Sequence, residues 1–478
     1  MNIFPKKIFK VVLMILGVIT ILIPIIGSYF MALDIDSAVI LTEMERIYEG
    51  YIPYKTMNLN YPPLWFYMMV AFKWIFQIPY GNYEFYLTIH YLFSIGCALV
   101  IYGISKYFTT KKIVSIFCAW LFLMTTHWLW GNCVLFEIPS MLFGLLACLL
   151  VLKFNNKSFL HYIYIGAIAC LSFLCKQFGL GFCILSIYLI FCFSDKKILN
   201  TIFFVLGYTI PLLICLIIFG KDMYISILLN GYGTVTMELA GWDCSSLEKI
   251  KVICNNLSYF SIKVIPLVVC SIIFVPIIIT KHKFKEYLFC IFGICGFSLQ
   301  FYLVPQALHY YLYLVPFGIL LIPILSTTID KRFFKILLTI IVLYTTLISC
   351  YNVYRRRIYR TYYLAYEKKL DQDKIANELN KINLKNKTVW VAHTELQFCN
   401  YLSNLYPPNM EEIGYAVGPL DVTKSKAWKQ IESCDYVLHL VTDDYFDYYY
   451  KGDIEQYLCQ FPADTIDING KILLRKLK

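Results

Sequence analysis

The chain has 478 residues, of which 59% are hydrophobic and 15% charged, with a formal net charge of +11 and a mean hydropathy of +0.63. Soluble domains average about 45–50% apolar and about 25% charged residues, so an ordinary soluble protein is excluded and a polytopic membrane protein is indicated. The basic residues stand in short clusters between apolar runs, which is a topology signal rather than a nucleic-acid footprint.

A hydrocarbon core of about 30 Å takes roughly 20 apolar residues per helix. The N-terminal MNIFPKKIFK runs into apolar residues as far as position 31. That run exceeds the about 7–15 residues of a signal-peptide core and no small-x-small cleavage pattern follows, so an uncleaved first span is expected at 9–31. Residues 62–76 are apolar but short and carry Lys73, which suits a re-entrant or interfacial helix. Further spans are expected at 86–107, 113–130, 138–152, 160–175, 178–193, 198–219, 262–280, 287–304, 308–326 and 333–351, about eleven in all.

Lys and Arg in the short loops orient such a chain. The clusters at Lys6, Lys7 and Lys10, at Lys111 and Lys112, at Lys196 and Lys197, and at Lys281, Lys283 and Lys285 fall on one side, taken as cytoplasmic. Asp34, Asp36, Glu43, Glu45, Glu49, Glu137 and Glu238 fall on the other. The expected architecture is therefore an α-helical polytopic membrane domain over 1–354, with external loops at 32–62 and 220–260. A small soluble α/β domain follows at 355–478, on the extracytoplasmic side. In that tail, 368–383 has helical period, 388–392, 436–441 and 471–475 read as strands, and 422–433 and 454–461 as helices. Most of the 18 Cys lie inside apolar runs and read as small hydrophobes. No CxxC pair with zinc-like spacing occurs, so a structural metal is not expected.

The most informative stretch is 34–64, DIDSAVILTEMERIYEGYIPYKTMNLNYPPL. Asp34 and Asp36 follow directly on the first apolar run. An ionisable residue at a membrane boundary is a functional candidate by default, the alternative for Asp36 being a carboxylate solvated outside the headgroups. Asp34 reads equally as a helix cap or loop carboxylate. Tyr54, Lys55 and Tyr61 flank a Pro62-Pro63 stop, whose prolines restrict the backbone. Lys176 interrupts an apolar stretch, where a lysine either snorkels to the interface or pairs with an anion. Glu137 precedes Ile138-Pro139 and is either a helix cap or a group facing Asp36. His309 and Tyr310 sit at an outer helix end, a position that also suits a structural histidine. Lys55 and Lys73 are weaker candidates for anion contact. Two or three carboxylates, Asp36 and Glu137 among them, could hold Mg²⁺ or Mn²⁺. No Walker, GxSxG or HExxH pattern is present, which leaves a nucleotide-driven pump or a zinc protease unsupported.

Asp36, Gly50, Pro53-Tyr54 and Pro62-Pro63 in this order and spacing resemble the first external loop of the GT-C glycosyltransferases. The likeness is in particular to bacterial relatives of protein O-mannosyltransferases and to lipid A aminoarabinose transferases. Leu135-Phe136-Glu137-Ile138-Pro139 resembles the family's second external loop, and Cys175-Lys176-Gln177-Phe178-Gly179 its lysine-containing break. His309-Tyr310-Tyr311 resembles its late aromatic-basic patch, with His where Arg is common. The resemblance implies an inverting transfer of a sugar from a polyprenyl-phosphate donor to an acceptor at the outer membrane face. It implies Asp36 as the catalytic base, with Asp34, Tyr54, Lys55, Tyr61, Glu137, Lys176, His309 and Tyr310 as substrate-binding candidates. The acceptor, whether protein, lipid or cell-surface glycan, stays open, as does the sugar. No nucleic-acid partner is expected. A second reading is a lipid or polysaccharide transporter or flippase. It calls for charged or broken helices near the midplane and repeat-related halves, whereas the acidic residues gather at one face. A third is an assembly protein of an envelope-polysaccharide machine that keeps the fold without the activity.

Overall fold

The computed structural model describes residues 17–18, 22, 25–57, 59, 61–128, 133–154, 158–230, 272–301, 308–330, 332–333, 363–391, 396, 398–406, 431–440, 457–467 and 472–478. Its principal helices are α1 (Ile35–Tyr48), α2 (Leu64–Phe76), α3 (Tyr83–Phe108), α4 (Lys112–Trp128), α5 (Glu137–Lys153), α6 (Phe159–Cys175), α7 (Leu180–Phe193) and α8 (Lys197–Phe219). They continue with α9 (Phe284–Phe301), α10 (Val315–Thr328), α11 (Tyr363–Lys381) and α12 (Phe398–Leu402). A 3₁₀ turn, Leu308–Leu314, leads directly into α10.

Helices α2 to α10 sit on the apolar runs with small shifts at their ends. Among the described residues, three stretches are long and apolar enough to cross a membrane: Tyr83–Phe108, Lys197–Phe219 and His309–Thr328. The count of about eleven is thus not reached there. Leu64–Phe76, Phe159–Cys175 and Gln177–Phe193 are apolar but shorter. The span expected at 333–351, and most of those at 9–31 and 262–280, lie outside the described residues.

The chain divides into two compact units. One comprises Met1–Phe30, Leu87–Ile214 and Ser246–Tyr362, the other Met31–Tyr86, Cys215–Ser245 and Tyr363–Lys478. The first unit is helical. Its centre is α10, whose residues from Val315 to Ser326 are all buried. Helix α5 packs on α6 and α7, and α9 on α7 and α10. Gly166 of α6 and Gly207 of α8 let two backbones touch: a Cβ on Gly166 would lie 2.0 Å from the Phe204 carbonyl oxygen, and one on Gly207 2.0 Å from that of Ile163. Small residues at such crossings are how helices associate where lipid removes the hydrophobic drive.

The second unit joins residues 31–86 to the C-terminal tail. Helix α1 packs on α2 and α12, and α11 on α12. The tail carries a four-stranded sheet in the order β1-β2-β4-β3, with β1 (Val389–Val391), β2 (Tyr436–Leu440), β3 (Ala463–Thr465) and β4 (Ile472–Lys476). β1 runs parallel to β2, while β4 is antiparallel to both β2 and β3. The strands expected at 388–392, 436–441 and 471–475 are β1, β2 and β4, and the helical period at 368–383 is α11. β3 is exposed along its whole length and lacks apolar alternation, and α12 has only 5 residues, so neither carries a clear pattern in the sequence. The helices expected at 422–433 and 454–461 lie largely outside the described residues.

Candidate functional site

The helical unit brings four of the candidate residues together. Glu137 opens α5, and Lys176 caps α6 in extended backbone before the 3₁₀ turn Gln177–Gly179. The Lys176 ammonium lies 3.4 Å from Glu137 Oε1, with the two side chains 1% and 0% exposed. It also donates to the Tyr310 hydroxyl at 3.4 Å. Nε2 of His309 approaches the same Glu137 oxygen at 3.7 Å. Glu137 Oε2 is buried with no hydrogen-bond partner among the described residues.

Aromatic rings wall this charge cluster. The ammonium stands 4.7 Å from the Tyr310 ring centroid and 5.2 Å from that of Phe136. Phe178 meets Tyr310 edge-on at 4.6 Å. Below it, Phe297 stacks on Tyr313 at 4.9 Å. The ammonium is thus desolvated, with ring faces and the Glu137 carboxylate around it.

Local sequence explains how the charges meet. The Ser140 hydroxyl donates to the Ser172 carbonyl at 2.9 Å, and the Ser172 hydroxyl donates to the Ser140 carbonyl at 2.7 Å. Ser140 lies one turn after Glu137, and Ser172 one turn before Lys176. The chain then doubles back so tightly that a Cβ on Gly179 would come 2.3 Å from the Ser172 carbonyl carbon. Only glycine fits that approach. Ser140 and Ser172 escape attention in the sequence, whereas Gly179 closes the lysine-containing break at 175–179. The available signal is a small polar residue one turn from a charge inside an apolar helix.

The remaining candidates belong to the loop-and-tail unit. Asp34 is the N-cap of α1: its Oδ1 accepts from the Ser37 amide at 3.0 Å, and its Oδ2 is buried without a hydrogen bond among the described residues. The cap alternative for Asp34 is therefore realised. Asp36 stands half-buried in the first turn of the same helix, where a carboxylate meets the positive end of the helix dipole. Tyr54 is buried in the left-handed region at φ 64° and donates its hydroxyl to the Tyr61 carbonyl at 2.5 Å. Burial pushes its phenol well above the usual range, so it serves as a neutral donor. Lys55 is exposed and donates to the Ile218 carbonyl at 3.0 Å. Lys73 is buried and paired with Glu45 at 2.9 Å, so its charge is already matched.

Among the described residues no group of three or more His, Cys, Asp or Glu side chains gathers as a metal site. Beside Glu137 the Lys176 ammonium already supplies positive charge, and a divalent cation there would be repelled by it. The donor set around Glu137 does not fit Mg²⁺ or Mn²⁺.

No protein-family model and no curated protein sequence matches the chain. Solved structures do. ArnT from Cupriavidus metallidurans bound to undecaprenyl phosphate is similar over 98% of this chain and 98% of its own, with a TM-score of 0.55 at 11% identity. Its apo form matches over the same shares, with a TM-score of 0.54 at 10% identity. The Archaeoglobus fulgidus oligosaccharyltransferase, in complex with Zn and sulfate, matches 94% of this chain and 69% of its own at a TM-score of 0.48 and 12% identity. That last score is too low to bear on the fold. The likeness to ArnT, end to end in both chains, shows that this chain shares the fold of ArnT.

Proposed function

We propose that the protein is a membrane glycosyltransferase that moves a sugar from a polyprenyl-phosphate donor to an acceptor hydroxyl at the extracytoplasmic face. The observation that carries this reading is the buried Lys176–Glu137 pair with His309 and Tyr310, set within a fold shared with ArnT. A charge inside apolar helices is costly and marks function by default. ArnT was crystallised with undecaprenyl phosphate, which supports a polyprenyl phosphate as the donor's leaving group.

The chemistry needs one base. Asp36 takes the proton of the acceptor hydroxyl as its oxygen attacks the anomeric carbon. The bond from that carbon to the phosphate oxygen breaks, and inversion follows from attack opposite the phosphate. Polyprenyl phosphate leaves as a stable anion and takes no proton, so no general acid is required. Lys176, with the Tyr310 hydroxyl beside it, neutralises the departing phosphate, and His309 adds a second donor. Glu137 holds the ammonium in place between turnovers. Tyr54 and Tyr61 shape the loop beyond α1. The Lys and Arg asymmetry of the loops supports the outer face for Asp36, although Arg355, Arg356, Arg357 and Arg360 before the C-terminal tail run against it.

The test is transfer of radiolabel in membranes from a panel of polyprenyl-phosphate sugars, comparing wild type with Asp36→Asn. Transfer by the wild type and a loss of about 10³-fold in the variant is expected, the order of effect of removing a positioned base. Equal transfer by both removes Asp36 as base. Silence of the wild type with every donor favours the transporter reading instead.

A further inference from the structure

Helix α1 carries Asp36, and the C-terminal segment grips it at both ends. Before the N-cap, the Gln372 side chain of α11 makes a two-way bond to the backbone of Leu33. The Leu33 amide donates to Gln372 Oε1 at 2.9 Å, and Gln372 Nε2 donates to the Leu33 carbonyl at 3.0 Å. In the last turn, Arg46 is fully buried. Its guanidinium donates to the Leu405 carbonyl at 2.6 Å, to Asn404 Oδ1 at 3.0 Å and to Glu49 Oε2 at 2.8 Å. The Tyr406 ring covers the guanidinium carbon at 3.8 Å, and the Tyr406 hydroxyl donates to Glu49 Oε1 at 2.7 Å.

The residue before Arg46 is fastened elsewhere. Glu45 pairs with Lys73 of α2 at 2.9 Å, both side chains nearly fully buried. Adjacent residues on a helix point about 100° apart. Pins at Glu45 and Arg46 to two different elements therefore fix the rotation of α1 about its axis as well as its position. A planar fork buried with four partners is far more specific than a surface charge would be. Simple adhesion between two elements would need none of this polar matching.

We propose that helix α11 and residues 398–406 are part of the catalytic apparatus rather than an appended module, with Gln372 and Arg46 as positioning residues that set the orientation of Asp36. The inference rests on the reading of Asp36 as the base. An error of about 1 Å in a reacting group can cost on the order of 10²-fold in rate, so a clamp on the base's helix acts on turnover and leaves donor-lipid binding alone.

The test uses the full chain in nanodiscs, with Gln372→Leu, Arg46→Lys and Tyr406→Phe as mild variants and Arg46→Ala as the severe one. Two readouts are taken: amide hydrogen exchange across 35–48, and transfer of radiolabel from the donor panel alongside binding of undecaprenyl phosphate. Expected are exchange across 35–48 faster by about tenfold in Gln372→Leu and Arg46→Lys, with exchange across 137–153 unchanged. Turnover falls by about tenfold or more in the same variants, with undecaprenyl phosphate affinity within about twofold of wild type and Tyr406→Phe intermediate. Unchanged exchange across 35–48 overturns the clamp. Faster exchange with wild-type turnover overturns the positioning role. An inactive wild type, or an active Asp36→Asn, overturns the assignment of the base, and the exchange data show that outcome to be separate from failure of the clamp.

Discussion

Ser140 and Ser172 each bind the other's main chain, hydroxyl to carbonyl, at 2.9 and 2.7 Å. This reciprocal latch ties the start of α5 to the end of α6, one turn from Glu137 on one side and one turn from Lys176 on the other. Hydrogen bonds between apolar helices average about 0.6 kcal/mol and reach about 1.7. Ser140→Ala and Ser172→Ala should each lower stability by about 1 kcal/mol, and the double variant by less than the sum, because each hydroxyl serves the same joint. A double-mutant cycle on thermal unfolding in detergent measures this. Strictly additive losses would mean the two serines act independently.

The Lys176–Glu137 pair makes two predictions of opposite sign. Lys176→Met removes the cation and should weaken undecaprenyl phosphate binding by about tenfold or more. Glu137→Gln removes the competing negative charge 3.4 Å from the ammonium. Binding of the phosphate should then tighten by several-fold while turnover falls, since the product is held too well. Equilibrium binding of the labelled lipid to purified protein reads both. Weaker binding in Glu137→Gln would show that the carboxylate's main task is to keep the ammonium in position.

Gly179 offers a steric contrast with Gly296. A Cβ on Gly179 would strike the Ser172 backbone at 2.3 Å, whereas one on Gly296 meets nothing within 4 Å among the described residues. Gly179→Ala should cost about 1–3 kcal/mol and displace the Lys176 turn, with loss of lipid binding. Gly296→Ala should be close to neutral. Comparable melting temperatures for the two variants would contradict the close approach.

Glu43, on α1, is fully buried, and its Oε2 has no hydrogen-bond partner among the described residues. Burial pushes its carboxyl well above the ordinary value of 4.5. A raised carboxyl binds its proton more tightly folded than unfolded. Its contribution to stability is complete below pH 4.5 and is lost as pH rises through the raised folded value. Glu43→Gln keeps the neutral shape at every pH. The variant should match wild type near pH 4.5 and melt higher at pH 8, by about 1 °C per kcal/mol regained in a chain of 478 residues. A melting difference that does not vary with pH would show that Glu43 is not protonated in the folded protein.

Much of the helical layout is written locally. Apolar runs specify α3 to α10 to within a few residues, because a buried or lipid-facing helix needs only continuous apolar length. Asp34 capping α1 and the break at Lys176 are also local, since a cap and a helix stop depend on neighbours in sequence. β3 and α12 were not legible for other reasons: β3 is exposed throughout and lacks apolar alternation, and the 5 residues of α12 are too few to set up a helical period.

What the sequence determined alone is the membrane class, the order of the apolar segments and the residue types available for phosphate and hydroxyl chemistry. Composition and periodicity are sums over neighbours, and they survive without knowledge of the fold. Tertiary structure decided the pairings: Lys176 with Glu137 and Tyr310 rather than with lipid headgroups, Lys73 with Glu45, and the tail with α1 through Gln372 and Arg46. A buried charge takes whichever partner packing brings within reach, and that choice belongs to contacts between segments distant in the chain.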